Sequence, residues 1–122
     1  MSFATDDLER LAAAEEVEIE TVARDGPIHR TVVWVVVEGT DTFIRSYRGR
    51  SARWFREALA NPAVALHLDG RRLAASAIPA TDPDSIDRTT AALQSKYGHE
   101  PTLLATMLEP DKLDANFRLE PA

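Results

Sequence analysis

The chain has 122 residues and a formal net charge of -6 at pH 7, with 44% hydrophobic residues and no cysteine. This composition predicts one globular domain over residues 1–122, and it excludes disulfides, thiolate metal sites and a cysteine nucleophile. Because the chain is acidic and no apolar run approaches the ~20 residues of a membrane helix, we expect a cytoplasmic protein that binds neither nucleic acid nor membrane.

One helix and three strands are predicted in the first half of the chain. An acidic residue followed by a second acid three positions later is typical of a helix start, and alternating apolar and polar side chains predict strands. The run from Arg30 to Val37 is apolar on both faces, which indicates a central strand covered on each side. Short turns favour an antiparallel meander of the three strands. The predicted elements are a helix from Asp6 to Ala13 or Ala14 and strands over residues 16–24, 30–37 and 42–47.

The second half of the chain predicts three helices and three more strands. Gly49-Arg50-Ser51 is typical of a turn that ends in a helix N-cap, with Ser51 as the capping residue. Pro101 suits a first helical turn, and Gly98 suits the position after a helix. The predicted elements are helices over residues 52–60, 84–97 and 102–108 and strands over residues 64–68, 71–78 and 113–120. The complete set predicts an α+β fold, a six-stranded antiparallel barrel-like domain with peripheral helices.

A group of five arginines inverts the sign of this acidic chain locally. They are Arg45, Arg48, Arg50, Arg53 and Arg56, and no acidic residue interrupts them. The last two lie near a predicted helix start, where N–H groups lack partners and the macrodipole is already positive. Folding alone does not favour cations there, whereas a phosphate-type anion would bind both the arginines and the N–H groups. The pattern predicts an anion site, and the alternative is a solvated helix face on which Arg53 pairs with Glu57. We expect Arg56 to lie on the surface.

Other residue types predict little chemistry. The three histidines are dispersed, so we expect no metal site. No nucleotide-binding or serine-hydrolase motif is present, and no catalytic residue can be named, so any chemistry would come from a cofactor. Trp34 is expected in the core, with one face of its strand available to line a cleft. Tyr47 is expected either to stack on a planar ligand or to be a strand-end tyrosine with one wet edge.

Four segments follow one another in a characteristic order. They are Arg30-Thr31-Val32-Val33-Trp34, Ile44-Arg45-Ser46, Gly49-Arg50-Ser51-Ala52-Arg53 and Asn61-Pro62-Ala63-Val64-Ala65-Leu66. This succession resembles the flavin-binding split β-barrel proteins related to pyridoxamine 5′-phosphate oxidase, especially their small bacterial relatives that bind FMN or a deazaflavin. The resemblance covers roughly residues 16–79 and the last strand.

The resemblance implies a split β-barrel homodimer with a phosphorylated planar cofactor, FMN or a deazaflavin coenzyme, at the subunit interface. Arg53, with Ser51 just before it, stands where those proteins place a basic residue on the cofactor phosphate. Arg30 and Thr31 begin the strand that lies along the ring system and ribityl chain, and Ser46 takes the position of a small hydroxyl residue. The predicted cofactor-binding residues are Arg30, Thr31, Val32, Trp34, Arg45, Ser46, Tyr47, Arg48, Arg50, Ser51 and Arg53.

Two function classes follow from these patterns. One is a flavin- or deazaflavin-binding protein, with an oxidoreductase that transfers hydride to a small planar substrate as its enzymatic form. The other is a cofactor-free split-barrel domain whose arginines dock an acidic partner, for which the chain's own acidic N-terminal segment is a candidate. Residues 84–108 lie outside the part that carries the resemblance, and we expect them to cap or fill the site.

Overall fold

The computed structural model describes all 122 residues and contains seven strands and four α-helices. The strands are β1 (Val17–Val22), β2 (Ile28–Val33), β3 (Val36–Glu38), β4 (Asp41–Arg45), β5 (Ala63–Leu68), β6 (Arg71–Pro79) and β7 (Asn116–Pro121). The helices are α1 (Thr5–Ala13), α2 (Arg53–Ala60), α3 (Pro83–Tyr97) and α4 (Pro101–Met107), with short 3-10 helices at Gly49–Ser51 and Pro110–Lys112. The predicted α+β architecture is confirmed, with seven strands rather than six. No helix is long and apolar enough to cross a membrane.

All seven strands form one sheet in the order β2-β1-β5-β6-β7-β4-β3, and every neighbouring pair is antiparallel. The two edge strands, β2 and β3, are separated along the chain by only Trp34 and Val35. A connection of two residues can bridge only about 10 Å. The two edges of the sheet must therefore lie close together at this corner, and the sheet curls to bring them there. The result is a curled half-barrel whose open seam lies where the chain passes from one edge to the other.

The predicted central strand over residues 30–37 is wrong, because the chain bends at Trp34 and Val35 and continues as a second edge strand. This bend supplies the seventh strand, and it places β2 and β3 at opposite edges, so the predicted meander does not form. Val35 is fully buried, and its carbonyl accepts a hydrogen bond from Lys96 Nζ at 2.7 Å. A run that is apolar on both faces can therefore be a corner packed by a helix.

Two clusters of buried side chains hold the sheet and helices together. The larger fills the inside of the half-barrel, where inward-facing strand residues such as Ile19, Leu66 and Phe117 are fully buried. The smaller lies between β4 and the helices α3 and α4 and includes Phe43 and Leu93. Burying one such side chain contributes roughly 1.5–3 kcal/mol. The second cluster fixes α3 and α4 against the sheet, beside the open seam.

Candidate functional site

A cleft of about 790 Å³ opens at the seam, where the β2–β3 corner, the start of α2 and the helix α4 come together. Ligand sites typically have volumes of roughly 300–1,000 Å³, so the cleft has room for a coenzyme. Its lining consists of Glu16, Thr31, Val32, Val33, Trp34, Arg45, Tyr47, Arg48, Ser51, Ala52, Arg53, Trp54, Arg56, Leu103 and Met107.

The cleft brings together most of the residues that the sequence predicts as cofactor-binding. Those that line it are Thr31, Val32, Trp34, Arg45, Tyr47, Arg48, Ser51 and Arg53. Three others lie elsewhere. Arg30 Nη2 donates to Glu18 Oε1 at 2.8 Å on the neighbouring strand, and Ser46 is fully buried. Arg50 holds the Asp114 carboxylate through Nε and Nη2, at 3.1 and 2.8 Å, and so is turned away from the cleft.

The cleft also contains residues that the sequence did not indicate. Arg56 was expected on the surface. It is exposed, and it also lines the cleft one helical turn after Arg53. Spacing of three residues on a helix places two side chains on one face, so this signal was present in the sequence. Leu103 and Met107 of α4 form part of the wall, and their spacing of four residues is the corresponding signal. The segment 84–108 thus borders the cleft on one side and leaves it open.

Positive charge in the cleft is largely unpaired. The side chains of Arg48 and Arg56 are exposed, and they form neither a hydrogen bond nor an ion pair with the rest of the chain. Arg53 makes two long contacts, from Nη2 to Thr31 Oγ1 at 3.3 Å and from Nε to Glu57 Oε1 at 3.8 Å. Glu16 is the one acidic residue in the lining. The cleft is therefore a local basic region on an acidic molecule, and it favours an anionic ligand.

The start of α2 has no side-chain cap. Ser51, the predicted N-cap, instead donates from Oγ to the Arg48 carbonyl at 2.9 Å, and the N-cap position is Ala52. The N-cap prediction is wrong because the Ser51 hydroxyl is used to close the preceding loop. Gly49 allows this tight loop, since its φ is +67° and a Cβ there would lie 3.0 Å from Lys112 Cδ. The first turn of α2 also lacks acidic residues. Its N–H groups are left for solvent or for an anion in the cleft.

Glu57 sets how Arg53 is held at the cleft. Its carboxylate accepts hydrogen bonds from Thr21 Oγ1 at 2.7 Å and from His29 Nδ1 at 2.9 Å. Burial opposes ionisation of Glu57, but these hydrogen bonds and the charge of Arg53 outweigh it and hold the pKa of Glu57 below its usual range. With a stable negative charge 3.8 Å away, Arg53 is anchored at one side and keeps donors free for a ligand.

Apolar and aromatic groups form the other part of the cleft. Trp34 stacks on Tyr97 with ring centroids 3.9 Å apart, and Tyr97 is fully buried. The Tyr97 hydroxyl donates to the Glu15 carbonyl at 2.9 Å, and burial raises the pKa of Tyr97 to about 12. Val32 and Tyr47 line the same cleft and are 55% and 45% exposed. Large apolar side chains exposed in a concave surface are typical of a binding site for a ring system.

None of the histidines lines the cleft. His29 binds Glu57, and His67 Nε2 lies 2.8 Å from Glu20 Oε1 on the outer face of the sheet. His99 lies beside Glu15 and Glu100, and ligand atoms of these three residues are within 4.8 Å of one another. All three side chains of that group are exposed, as carboxylates commonly are without a metal.

A family model described as "Uncharacterized protein conserved in bacteria (DUF2255)" matches residues 7–119. A search of curated proteins found no match. Solved structures do match. A putative pyridoxamine 5′-phosphate oxidase from Listeria innocua has a TM-score of 0.68 at 14% identity, with 95% of this chain and 90% of that chain covered. An F420-H2-dependent reductase (FDR-A) has a TM-score of 0.67 at 17% identity, with 87% and 94% covered.

The heme storage protein HutZ from Vibrio cholerae is also similar, with a TM-score of 0.67 at 16% identity and with 100% of this chain and 92% of that chain covered. Some of the similar structures are of longer proteins. One of them has a TM-score of 0.74, and this chain covers 55% of its length. Identities this low establish the fold and not the ligand. The chain has the split β-barrel fold of the pyridoxamine 5′-phosphate oxidase-like proteins, as the sequence predicts.

Proposed function

We propose that this chain, which belongs to the bacterial family DUF2255, binds a phosphorylated flavin-type coenzyme, FMN or a deazaflavin, in the cleft beside α2. One observation carries the proposal. The cleft joins unpaired arginines and an uncapped helix start to an exposed apolar and aromatic wall. A phosphate on a planar ring system has the chemistry that matches both parts. Support also comes from an F420-H2-dependent reductase and a putative pyridoxamine 5′-phosphate oxidase that share the fold.

The two parts of the cleft have separate roles in this proposal. Arg53 and Arg56, with the free N–H groups at the start of α2, hold the phosphate. Arg48 lies exposed in the same lining and adds positive charge. Trp34 and Val32 lie along the ring system, because aromatic and aliphatic surfaces suit a planar ligand that excludes water. Charge-assisted hydrogen bonds to phosphate oxygens are the strongest contacts that this chain offers.

When bound, such a coenzyme supplies hydride-transfer chemistry. The chain's own residues bind the phosphate, fix the plane of the ring and keep water from its covered face. Because the chain offers no catalytic side-chain constellation, the proposed enzymatic form is an oxidoreductase that passes hydride to a small planar substrate placed on the open face of the ring. Glu16 is the one carboxylate at the cleft and is exposed.

A homodimer is part of the proposal. Ile28 and Val32 lie on one face of the edge strand β2, with Arg30 between them, and they are 63% and 55% exposed. Val32 also lines the cleft. A second copy placed against β2 would cover these two apolar side chains and would close the open side of the cleft. An edge strand with exposed apolar residues tends to pair with another chain unless part of the protein covers it.

Two other ligand classes are weaker candidates. Heme is the ligand of the similar protein HutZ. Histidine is a common ligand of heme iron, but no histidine lines this cleft. Tyrosine and methionine can also bind heme iron, and the lining contains Tyr47 and Met107. An acidic partner suits the arginines alone and leaves the aromatic wall without a role. The chain's own Asp6 and Asp7 are poor candidates, because Arg71 Nη1 holds them at 3.0 and 2.8 Å.

The test is a titration of the purified protein with FMN, with riboflavin and with a deazaflavin coenzyme, followed by ligand fluorescence. The expected result is that FMN or the deazaflavin coenzyme binds, and that riboflavin, which lacks the phosphate, binds at least about tenfold more weakly than FMN where FMN is the ligand. A matched titration with heme, followed by its absorbance, covers the alternative. If neither coenzyme binds at tens of micromolar concentrations, the proposal is wrong.

A further inference from the structure

Arg45 is a positive charge enclosed in the wall of the cleft. It is 1% exposed, yet it belongs to the cleft lining together with Trp34. Its Nη1 donates to Thr90 Oγ1 at 3.0 Å and to the Met107 carbonyl at 3.4 Å, and its Nη2 donates to the Ile86 carbonyl at 3.1 Å. These partners are all neutral. They fix the orientation of the guanidinium against α3 and α4 without cancelling its charge.

No carboxylate pairs with Arg45, whereas Glu20, the other buried charged residue, forms an ion pair with Arg72. The Arg45 Nε–H has no partner at all. Asn116, which lies opposite Arg45 in the sheet register, likewise has an unpartnered Oδ1. Burial lowers the pKa of Arg45 to about 10, which leaves the side chain protonated at neutral pH. A buried charge without a counterion is costly to the fold, and a negative charge in the cleft would offset that cost.

We infer that Arg45 is a fixed countercharge for the ring of the coenzyme, and that it makes the cleft bind the reduced coenzyme more tightly than the oxidised one. This inference rests on the proposed function. Hydride transfer to the ring adds two electrons and one proton, so the ring gains one negative charge unless it takes up a second proton. Positive charge near the ring is one of the protein's means of tuning such a coenzyme. Arg45 supplies it beneath the wall that the ring would contact.

The effect acts through the electric field and needs no contact. Arg45 Nε has no solvent-exposed surface, so a ligand in the cleft would not reach it directly. Two unit charges separated by protein interior still interact strongly, because the effective dielectric constant there is far below that of water. The cations at the start of α2 differ in this respect. They are exposed in a cleft open to solvent, where water and ions screen their charge, so they act on the phosphate that they contact more than on the ring.

The test is the two-electron midpoint potential of FMN bound to the whole protein, with the deazaflavin coenzyme as the probe if only that ligand binds. The expected wild-type result is that the reduced form binds at least about tenfold more tightly, which raises the potential of the bound coenzyme by about 30 mV above that of the free coenzyme. Arg45→Met should remove this difference, and Arg45→Lys, which keeps the charge, should restore most of it. Arg53→Ala should weaken the binding of both redox states and change the potential less than Arg45→Met does, because the charge of Arg53 is exposed to solvent.

The outcomes separate this inference from the proposed function. If neither coenzyme binds to the wild type, both fail. If a coenzyme binds but the wild-type potential equals that of the free coenzyme, this inference alone is overturned, even where Arg45→Met does not fold. Thr90→Val provides a structural control, because it removes one partner of Nη1 and keeps the charge. An unchanged potential in Thr90→Val with a lowered potential in Arg45→Met supports the field effect, and equal losses in both variants contradict it.

Discussion

Trp34 and Tyr97 stack face to face, with ring planes 2° apart and centroids separated by 3.9 Å. Trp34 lies at the corner between the two edge strands, and Tyr97 is the last residue of α3. The stack therefore fixes the position of the cleft wall relative to the end of α3. The Tyr97 hydroxyl adds a second link, since it accepts from the Val35 N–H at 3.3 Å and donates to the Glu15 carbonyl at 2.9 Å.

Tyr97→Phe should separate these two links. The stack remains, but the buried Val35 N–H loses its partner, so we expect the free energy of unfolding to fall by about 1–3 kcal/mol. Tyr97→Leu should cost about 2 kcal/mol more, because a leucine neither stacks nor fills the volume of the ring. Denaturant unfolding measures both values. An equal loss in the two variants would show that the stack contributes nothing beyond the hydroxyl.

Arg50 and Arg56 form a matched pair for the assignment of the anion site. Both were in the arginine group of the sequence, but Arg56 is free in the cleft and Arg50 is held by Asp114. Arg56→Ala should weaken FMN binding by about tenfold, because one charge-assisted contact to phosphate is lost. Arg50→Ala, and Arg24→Ala on an exposed turn, should change the affinity less than twofold. Fluorescence titrations check this, and a larger loss in Arg50→Ala than in Arg56→Ala would contradict the assignment.

Salt should weaken the binding of FMN more than it weakens the binding of riboflavin. The contacts to phosphate are ionic and lie in a cleft open to solvent, where screening acts over about 10 Å at 0.1 M salt. Titrations of FMN and riboflavin at low salt and at 0.5 M sodium chloride measure the difference. The apolar contacts of the ring are common to both ligands, so parallel losses for the two would argue against a phosphate site.

Glu20 should make the stability of the protein depend on acid pH. Hydrogen bonds from Arg72 and His67 outweigh the effect of burial and lower the pKa of Glu20 from 4.5 to about 2. A carboxylate whose pKa is lowered by folding stabilises the native state above its unfolded pKa. That stability is lost as the pH falls from about 4.5 to 2. The expected loss is on the order of 2 kcal/mol.

Glu20→Gln tests the pH dependence directly. This variant should be less stable than the wild type at pH 7. The difference should shrink as the pH falls toward 2 and vanish below it, where the wild-type carboxylate is protonated as well. Urea unfolding at several pH values measures both curves. A constant difference across this pH range would mean that the ion pair with Arg72 does not set the pKa of Glu20.

The exposed apolar side chains of β2 should control assembly. Ile28→Glu places a charge at a position that is 63% exposed in one chain and buried in the proposed dimer. Light scattering after size exclusion should show a dimer for the wild type and a monomer for this variant, with unchanged circular dichroism. Coenzyme binding should weaken in the monomer, because the partner closes the open side of the cleft. A monomeric wild type would remove the dimer from the account.

The sequence predicts the local elements well because their signals are local. Helix α3 was expected from Asp84, and it begins one residue earlier because Asp82 caps it, accepting from the Ser85 N–H at 3.0 Å. The β2–β3 corner could not be predicted, since hydrophobic periodicity reports burial and not which element supplies it. The same limit applies to Arg45, which was predicted as a cofactor-binding residue and proves to be enclosed because α3 and α4 cover its face of β4. A cytoplasmic location and an oxidoreductase activity stay predictions.

The most direct test of the central claim is a crystal structure of the protein with the bound coenzyme. We predict that the phosphate lies at the start of α2, within hydrogen-bonding distance of Arg53 or Arg56 and of backbone N–H groups there, with the ring against Trp34. A phosphate held elsewhere, or a ring outside this cleft, would contradict the account.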